Sequence, residues 1–422
     1  MSRACHFFTL AVRLVSDLLD SCPEFGFGDF LLDKYAKRQE VAQNNGSAVE
    51  MEPSESLRSW EPPKELPELP TESALRRAIA QALFQTGCIR AAEIIARRWR
   101  FPSAVHKRNA GVSGPRFAIL CYHRIGTHGV PLYSGLPRSV FEKQIVYLRK
   151  HYRILSLEEL LAERESPKSD KPGLAITFDD GYADLYSEAF PVLRKYEVPA
   201  TIYLVAGAVQ SGEIPWYDRI FVAFQVAPAD QLMNELGLPE PTRLETPQQR
   251  LVAAARYIFT LRAFSDTDRL ACCDYLQQRI PIPQSALSNR MLNWNQIREM
   301  QSAGISFGSH TVSHPVLSRL SPQDLLRELR DSRHVLENEL QRPVLDFSYP
   351  FGTQDSFNDA TCIQLAALHY RSAVTSLPGL NTRETDPLAL HRVTYCETSS
   401  LAIFAARLSR LFLSAAGDAS VV

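Results

Sequence analysis

Short apolar runs ending in turn or polar residues alternate with stretches whose apolar positions recur at helical spacing. That alternation predicts parallel strands joined by crossover helices. Strand candidates begin at Phe117 to Cys121, recur at Leu174 to Phe178, Pro199 to Val205 and Gly304 to Gly308, and end at Val344 to Tyr349, Arg371 to Val374 and His391 to Tyr395. Between them lie helical patterns: Phe141, Ile145 and Leu148; a capping-box start at Ser156; Ala189, Leu193 and Tyr196; and the stripe Leu325, Leu329, Leu336, Leu340 opened by Ser321-Pro322. A helix through Ile363 and a closing amphipathic helix from Ser399 to Leu413 complete the series. From about 216 to 290 the alternation stops and polar helical sequence takes over, which reads as a helical insertion on the rim of an α/β fold.

The pattern divides the chain. Residues 1–38 form an N-terminal extension whose apolar run His6 to Val12 is cut by Arg13 and Asp17, a poor signal peptide and a better short helix. Residues 39–74 are rich in Pro, Glu and Ser and read as a flexible linker. Residues 75–110 carry a basic amphipathic helix, with Ile79, Leu83, Ile94 and Ile95 set among Arg76, Arg77, Arg90, Arg97, Arg98 and Arg100, suited to docking on its own domain or to peripheral contact with an anionic membrane through 75–100. The catalytic-type domain is expected over 115–413.

Composition narrows the class. Across 422 residues, 45% hydrophobic and 22% charged content is that of a globular protein. A net charge of -1 argues against a nucleic-acid binder. Eight cysteines without CxxC spacing favour a reducing compartment, and with neither a signal peptide nor a membrane-length apolar run a cytoplasmic location is expected.

The chemistry sits at two strand ends. Leu174 to Phe178 runs into Asp179-Asp180-Gly181, adjacent carboxylates at the mouth of a sheet; like charges there disfavour joint ionisation unless a cation takes one as a ligand. A second strand ends in His310-Thr311-Val312-Ser313-His314, two imidazoles able to face one point if the backbone coils. Asp180, His310 and His314 together offer three metal ligands with coordination positions left open, as a catalytic site requires. One carboxylate and two imidazoles suit Zn2+, with Co2+, Ni2+ or iron also fitting. His123, at the end of the first strand, is a substrate-binding or supporting residue near the aspartates, and Trp216-Tyr217-Asp218 at the entrance of the insertion could stack on a sugar ring, core packing being the commoner role for any one of these aromatics.

These motifs resemble the polysaccharide deacetylases with a NodB-homology domain. Thr177-Phe178-Asp179-Asp180 looks like that family's first motif, His310 to His314 like its second, and Phe347-Ser348-Tyr349-Pro350-Phe351-Gly352 like its third, except that Ser348 stands where better-characterised members carry an arginine orienting the catalytic aspartate. The resemblance implies an irregular (β/α) barrel and a metal-dependent hydrolase removing the acetyl group of an N-acetylated carbohydrate. It implies Asp179 as general base, a backbone N–H near Phe351 as oxyanion donor, and a histidine on a late strand, His391, as general acid, with His123 the second choice. Tyr182 and Tyr349, in the motif stretches, join as substrate-binding or supporting residues. The rival class is a catalytically weak or inactive carbohydrate-binding relative, motivated by Ser348.

Overall fold

The computed structural model describes residues 116–413 apart from short stretches at 127–134, 165–168, 170, 237–241, 281, 283–286, 288–289, 395 and 397–399. The expectations for 1–38, 39–74 and 75–110 therefore lie outside the described residues.

Mostly buried strands pair in parallel, the chain returning to the same end of the sheet through a helix everywhere but between the last two strands. β1 (Ala118–Tyr122), β3 (Gly173–Phe178), β4 (Thr201–Leu204), β5 (Ser306–Ser309), β6 (Asp346–Ser348), β7 (Ser372–Pro378) and β8 (Leu390–Arg392) neighbour one another in that order, and β2 (Arg153–Ile154) pairs the start of β3. The sheet then closes on itself. Leu120 bridges Val393 in parallel, Cys121 N–H donates to Val393 O (2.9 Å) and Val393 N–H to Ile119 O (2.8 Å). The result is an irregular (β/α) barrel, as the family resemblance implied, built of the parallel strands and crossover helices that the alternation predicted. The strand expected to stop at Val374 runs on to Pro378 through a register irregularity against β8.

Strand parity sorts the side chains. Ala118, Leu120 and Tyr122 of β1 and Leu174, Ile176 and Phe178 of β3 face outward into the main core beneath the helices. Those helices include α1 (Arg138–His151), with Phe141, Ile145 and Leu148, and α9 (Trp294–Ser302), with Ile297 and Met300. The opposite parity, Ile119, Ala175, Tyr203, Val374 and Leu390, fills the barrel interior, plugged below by Leu157 and Leu160 of α2 (Leu157–Ala162). Beyond α3 (Phe190–Lys195) and α4 (Ala206–Ser211), the expected insertion is α5 (Trp216–Val226), α6 (Ala229–Leu236), α7 (Pro247–Arg262) and α8 (Asp266–Arg279). It packs its own core of Phe224, Tyr257, Leu261 and Leu276. Thr246 with Gln249 forms a capping box on α7, and Ser265 caps α8. The chain continues through α10 (Pro322–Leu340), α11 (Asp359–Ala367) and α12 (Leu401–Leu413), whose Phe404 meets Tyr147 of α1 edge-on.

Candidate active site

Inward parity carries upward from the apolar plug into a polar layer: Cys121, Thr177, Asp179, Ser348, His310 and Arg392 follow Ile119, Ala175, Tyr203 and Leu390 on the same side of their strands. Asp179, 3% exposed, accepts two hydrogen bonds from Arg392, Nη1 to Oδ1 at 2.8 Å and Nη2 to Oδ2 at 2.6 Å. Ser348 Oγ lies 3.3 Å from the same Oδ2 and the Cys121 thiol 3.9 Å from it. Burial alone would raise the Asp179 pKa; the Arg392 guanidinium, with His310 and His123 nearby, more than reverses that and holds the carboxyl well below the usual carboxylate range.

Arg392 corrects the reading of the third motif. The arginine missing at Ser348 is supplied from β8, 213 positions along the chain from Asp179, and it is fully buried. The same parity sets the direction of His391. On a strand, neighbours face opposite ways, and His391 packs beside Gly379 while Arg392 takes the interior. Burial lowers the His391 pKa, and no carboxylate is among its causes. By contrast His123, half-buried past the end of β1, favours ionisation of both aspartates by its charge.

The three expected ligands meet. Asp180 Oδ1 lies 3.6 Å from His310 Nε2 and 3.7 Å from His314 Nε2, and all three side chains are buried. Four-coordinate ligands at about 2.0–2.2 Å from a zinc-like ion stand about 3.4 Å apart, so this donor set fits such an ion with contraction by a few tenths of an ångström. Other details agree. His310 Nδ1 is 2.6 Å from Ser348 O, an acceptor that keeps the proton on Nδ1 and leaves the Nε2 lone pair toward Asp180. Burial, then His310, pushes the His314 pKa well below its ordinary value, so the ring is neutral, the form that binds a cation. Burial and the adjacent Asp179 raise the Asp180 pKa against the pull of His123 and His310, a cost that a cation would offset.

The backbone is bent to reach this arrangement. Asp180 (φ 71°), Thr311 (φ 67°), His314 (φ 58°) and Phe351 (φ 62°) all occupy the left-handed region, unfavourable for side chains of their size. Neighbours hold them there. Glu328 of α10 accepts from Val312 N–H (2.8 Å), Ser313 N–H (3.0 Å) and Ser313 Oγ (2.7 Å), fastening the loop between the histidines. At the start of α4, Ala206 and Gly207 N–H donate to Thr311 O (2.9 Å) and Val312 O (3.0 Å). A Cβ on Gly207 would strike that Val312 oxygen at 2.6 Å, so the close approach requires glycine.

The remaining predicted residues fall into two groups. Phe351 lies at the site: its ring packs on His314 at 4.8 Å between centroids, and its backbone N–H donates to no described residue. Tyr182 stands one layer back, its hydroxyl donating to Asp218 Oδ2 at 2.6 Å, with the Arg124 guanidinium over its ring. Trp216 takes the supporting place of the two expected for it, for it is 5% exposed and its indole N–H donates to His314 O at 3.1 Å. Tyr349 lies farther from the site. Outward parity sends it against Phe357, and its hydroxyl bonds Leu388 O at 2.6 Å, away from Asp179. Tyr217, of the same aromatic pair at the entrance of the insertion, places its ring 4.7 Å from His314. Sequence reasoning missed Glu328, an acid buried on the helix face that carries the leucine stripe. That misplaced acid was the available signal.

Comparison with known proteins accords with this geometry. A family model described as polysaccharide deacetylase matches residues 166–373. The chain is 25% identical over 299 residues to YxkH of Bacillus subtilis (strain 168), provisionally named a polysaccharide deacetylase, covering 70% of this chain and 77% of that protein. It is 28% identical over 178 residues to the poly-beta-1,6-N-acetyl-D-glucosamine N-deacetylase of Staphylococcus epidermidis, covering 40% of this chain and 58% of that enzyme. Among solved structures, the Streptococcus pyogenes deacetylase PplD in complex with acetate matches with a TM-score of 0.46 and 22% identity, over 67% of this chain and 93% of that one. With the motifs gathered at one end of a closed parallel barrel, residues 166–373 carry a domain of the polysaccharide deacetylase family, a family of hydrolases.

Proposed function

We propose that this protein is a metal-dependent deacetylase that hydrolyses the N-acetyl group of an amino sugar within an oligo- or polysaccharide. The observation that carries the reading is the convergence of Asp180, His310 and His314 beside a second, arginine-clamped aspartate. A divalent cation held by those three residues would supply Lewis-acid polarisation of the amide carbonyl and acidify a water. Asp179 accepts the proton of the attacking water. Its clamp fixes the carboxylate's direction at some cost in basicity, a trade that favours orientation over driving force. The Phe351 N–H, unengaged among the described residues, is left to donate to the developing oxyanion. His123 protonates the departing amine, in place of His391, whose side chain lies on the other face of β8.

The substrate class rests on the S. epidermidis relative, whose name specifies poly-beta-1,6-N-acetyl-D-glucosamine. The rival, an inactive carbohydrate-binding relative, drew its motive from Ser348, and that motive weakens once Arg392 clamps Asp179. The deciding experiment measures acetate release from β-1,6-linked N-acetylglucosamine oligomers with Zn2+, Co2+ and Ni2+ supplied in turn. Asp179→Asn should abolish turnover, and His123→Ala should reduce it about 10²- to 10⁴-fold, the usual contribution of a general acid. His391→Ala should leave turnover within a few-fold of wild type. No acetate with any cation would defeat the hydrolase reading, and reversal of the two histidine results would return the acid role to His391.

A further inference from the structure

The loop that carries the proposed oxyanion donor is held from two sides. On the barrel side Gly352 accepts from Ser376 N–H at 2.9 Å, and its own N–H closes on Pro350 O at 2.7 Å; a Cβ at Gly352 would run into Ser376. On the other side stands the helical insertion. Arg262, the last residue of α7, lays its guanidinium over the Phe351 ring at 4.2 Å, donates from Nη2 to Thr353 Oγ1 at 3.0 Å, and sits 3.7 Å from Asp355 Oδ1. Thr353 Oγ1 in turn donates to Asp355 Oδ1 at 2.6 Å. The inner side of Phe351 meets Trp216, Tyr217 and His314, so Arg262 closes the outer side of an aromatic slot.

We propose that Arg262 is a positioning residue for the reaction, locking the strained Phe351 backbone so that its N–H stays aimed at the oxyanion. Phe351 has φ 62°, a conformation its side chain disfavours, and a residue so placed relaxes unless its surroundings over-determine it. A planar guanidinium both stacks on the ring and reaches the following two polar side chains, which a lysine ammonium cannot do together. With its side chain only 10% exposed, Arg262 is poorly placed to grip a sugar. The insertion thereby becomes part of the catalytic apparatus. The proposal rests on the deacetylase reading for its kinetic consequence, though not for its structural one.

The test compares wild type, Arg262→Ala, Arg262→Lys and Thr353→Val by three measurements: kcat and KM for acetate release, metal content, and hydrogen exchange of the Gly352 and Ser356 amides, which close on Pro350 O and Thr353 O. Loss of one well-aimed oxyanion donor costs about 10²–10³ in kcat, and partial misdirection should cost about 10- to 100-fold. Arg262→Ala is expected to show that fall with KM within about twofold, metal content unchanged and both amides exchanging faster. Arg262→Lys and Thr353→Val should fall between it and wild type. A rise in KM at constant kcat would make Arg262 a substrate contact, and loss of metal would make it general framework; either overturns the proposal, as does unchanged kcat with unchanged exchange. If wild type releases no acetate, the deacetylase reading fails, and exchange alone then decides: faster exchange in Arg262→Ala upholds the lock, unchanged exchange removes it.

Discussion

Asp179 and Arg392 form a pair in which neither member is tolerable alone. Both are buried, and the guanidinium presents two parallel donors to the two carboxylate oxygens. Burying an ion costs several kcal/mol, which the partner recovers only while present, so breaking such a pair costs about 3–5 kcal/mol. Arg392→Met is therefore expected to lower unfolding stability by about that much, and the double variant Arg392→Met/Asp179→Asn to regain most of it. Urea melts of the four proteins measure the coupling; additive losses would mean the pair is not interacting. This pair was half legible. A last strand was expected at His391 to Tyr395 and is found at Leu390–Arg392, but which of His391 and Arg392 faces the interior depends on the pairing of Leu390 with Val374, a register fixed by distant strands.

A second residue-scale consequence concerns Asp218 on α5. Burial raises its pKa to about 7; the Tyr182 hydroxyl and Arg124 pull downward, while Asp180 and Asp184 push upward. The folded protein thus holds a proton there between its ordinary 3.8 and about 7, where the unfolded chain has released it. Stability must fall as pH rises through that window and level off above it. Asp218→Asn keeps an acceptor for Tyr182 and cannot ionise. In metal-free protein the gap in Tm between Asp218→Asn and wild type should widen in the variant's favour from pH 4 to pH 7. Parallel curves would show that Asp218 stays ionised in the fold.

At the level of elements, the loop between the two histidines is built by its neighbours more than by its own sequence. Val312 and Ser313 have no strand partner for their N–H groups, and α10 supplies one in Glu328. The helix stripe Leu325, Leu329, Leu336 and Leu340 was readable from period alone. That Glu328 on the same face serves the loop could not be read, because nothing local ties the helix to the turn. Glu328→Ala leaves those donors without a partner in a half-buried setting, and should cost about 1–3 kcal/mol of stability. Because outer partners of metal ligands govern ligand direction, metal affinity should drop by about tenfold or more. Titration of Zn2+ into wild type and Glu328→Ala checks this, with Glu328→Gln expected between them; equal affinities would confine Glu328 to packing.

Over the whole molecule, the donor set bridges strands that are not neighbours. Asp180 follows β3, the histidines follow β5, and β4 lies between them, so a cation shared by the three would fasten one side of the barrel mouth across an intervening strand. Without it, Asp180 remains a buried carboxyl beside the ionised Asp179, in a turn held at φ 71°. Anything that binds the native state alone stabilises it by mass action, about 2.7 kcal/mol at one hundred times the dissociation constant. In a domain of this size that is a rise in Tm of roughly 5 °C. Wild type stripped by chelator should therefore melt lower by about that amount, lose acetate release, and recover both when Zn2+ is restored. Asp180→Asn separates this from a general effect of chelation. Asparagine removes the charged ligand while easing repulsion with Asp179, so the variant should melt at or above the stripped wild type and respond little to chelator or to Zn2+. A chelator response in Asp180→Asn as large as in wild type would locate the stabilising ion away from Asp180, His310 and His314, and the mechanism built on those residues would have to be abandoned.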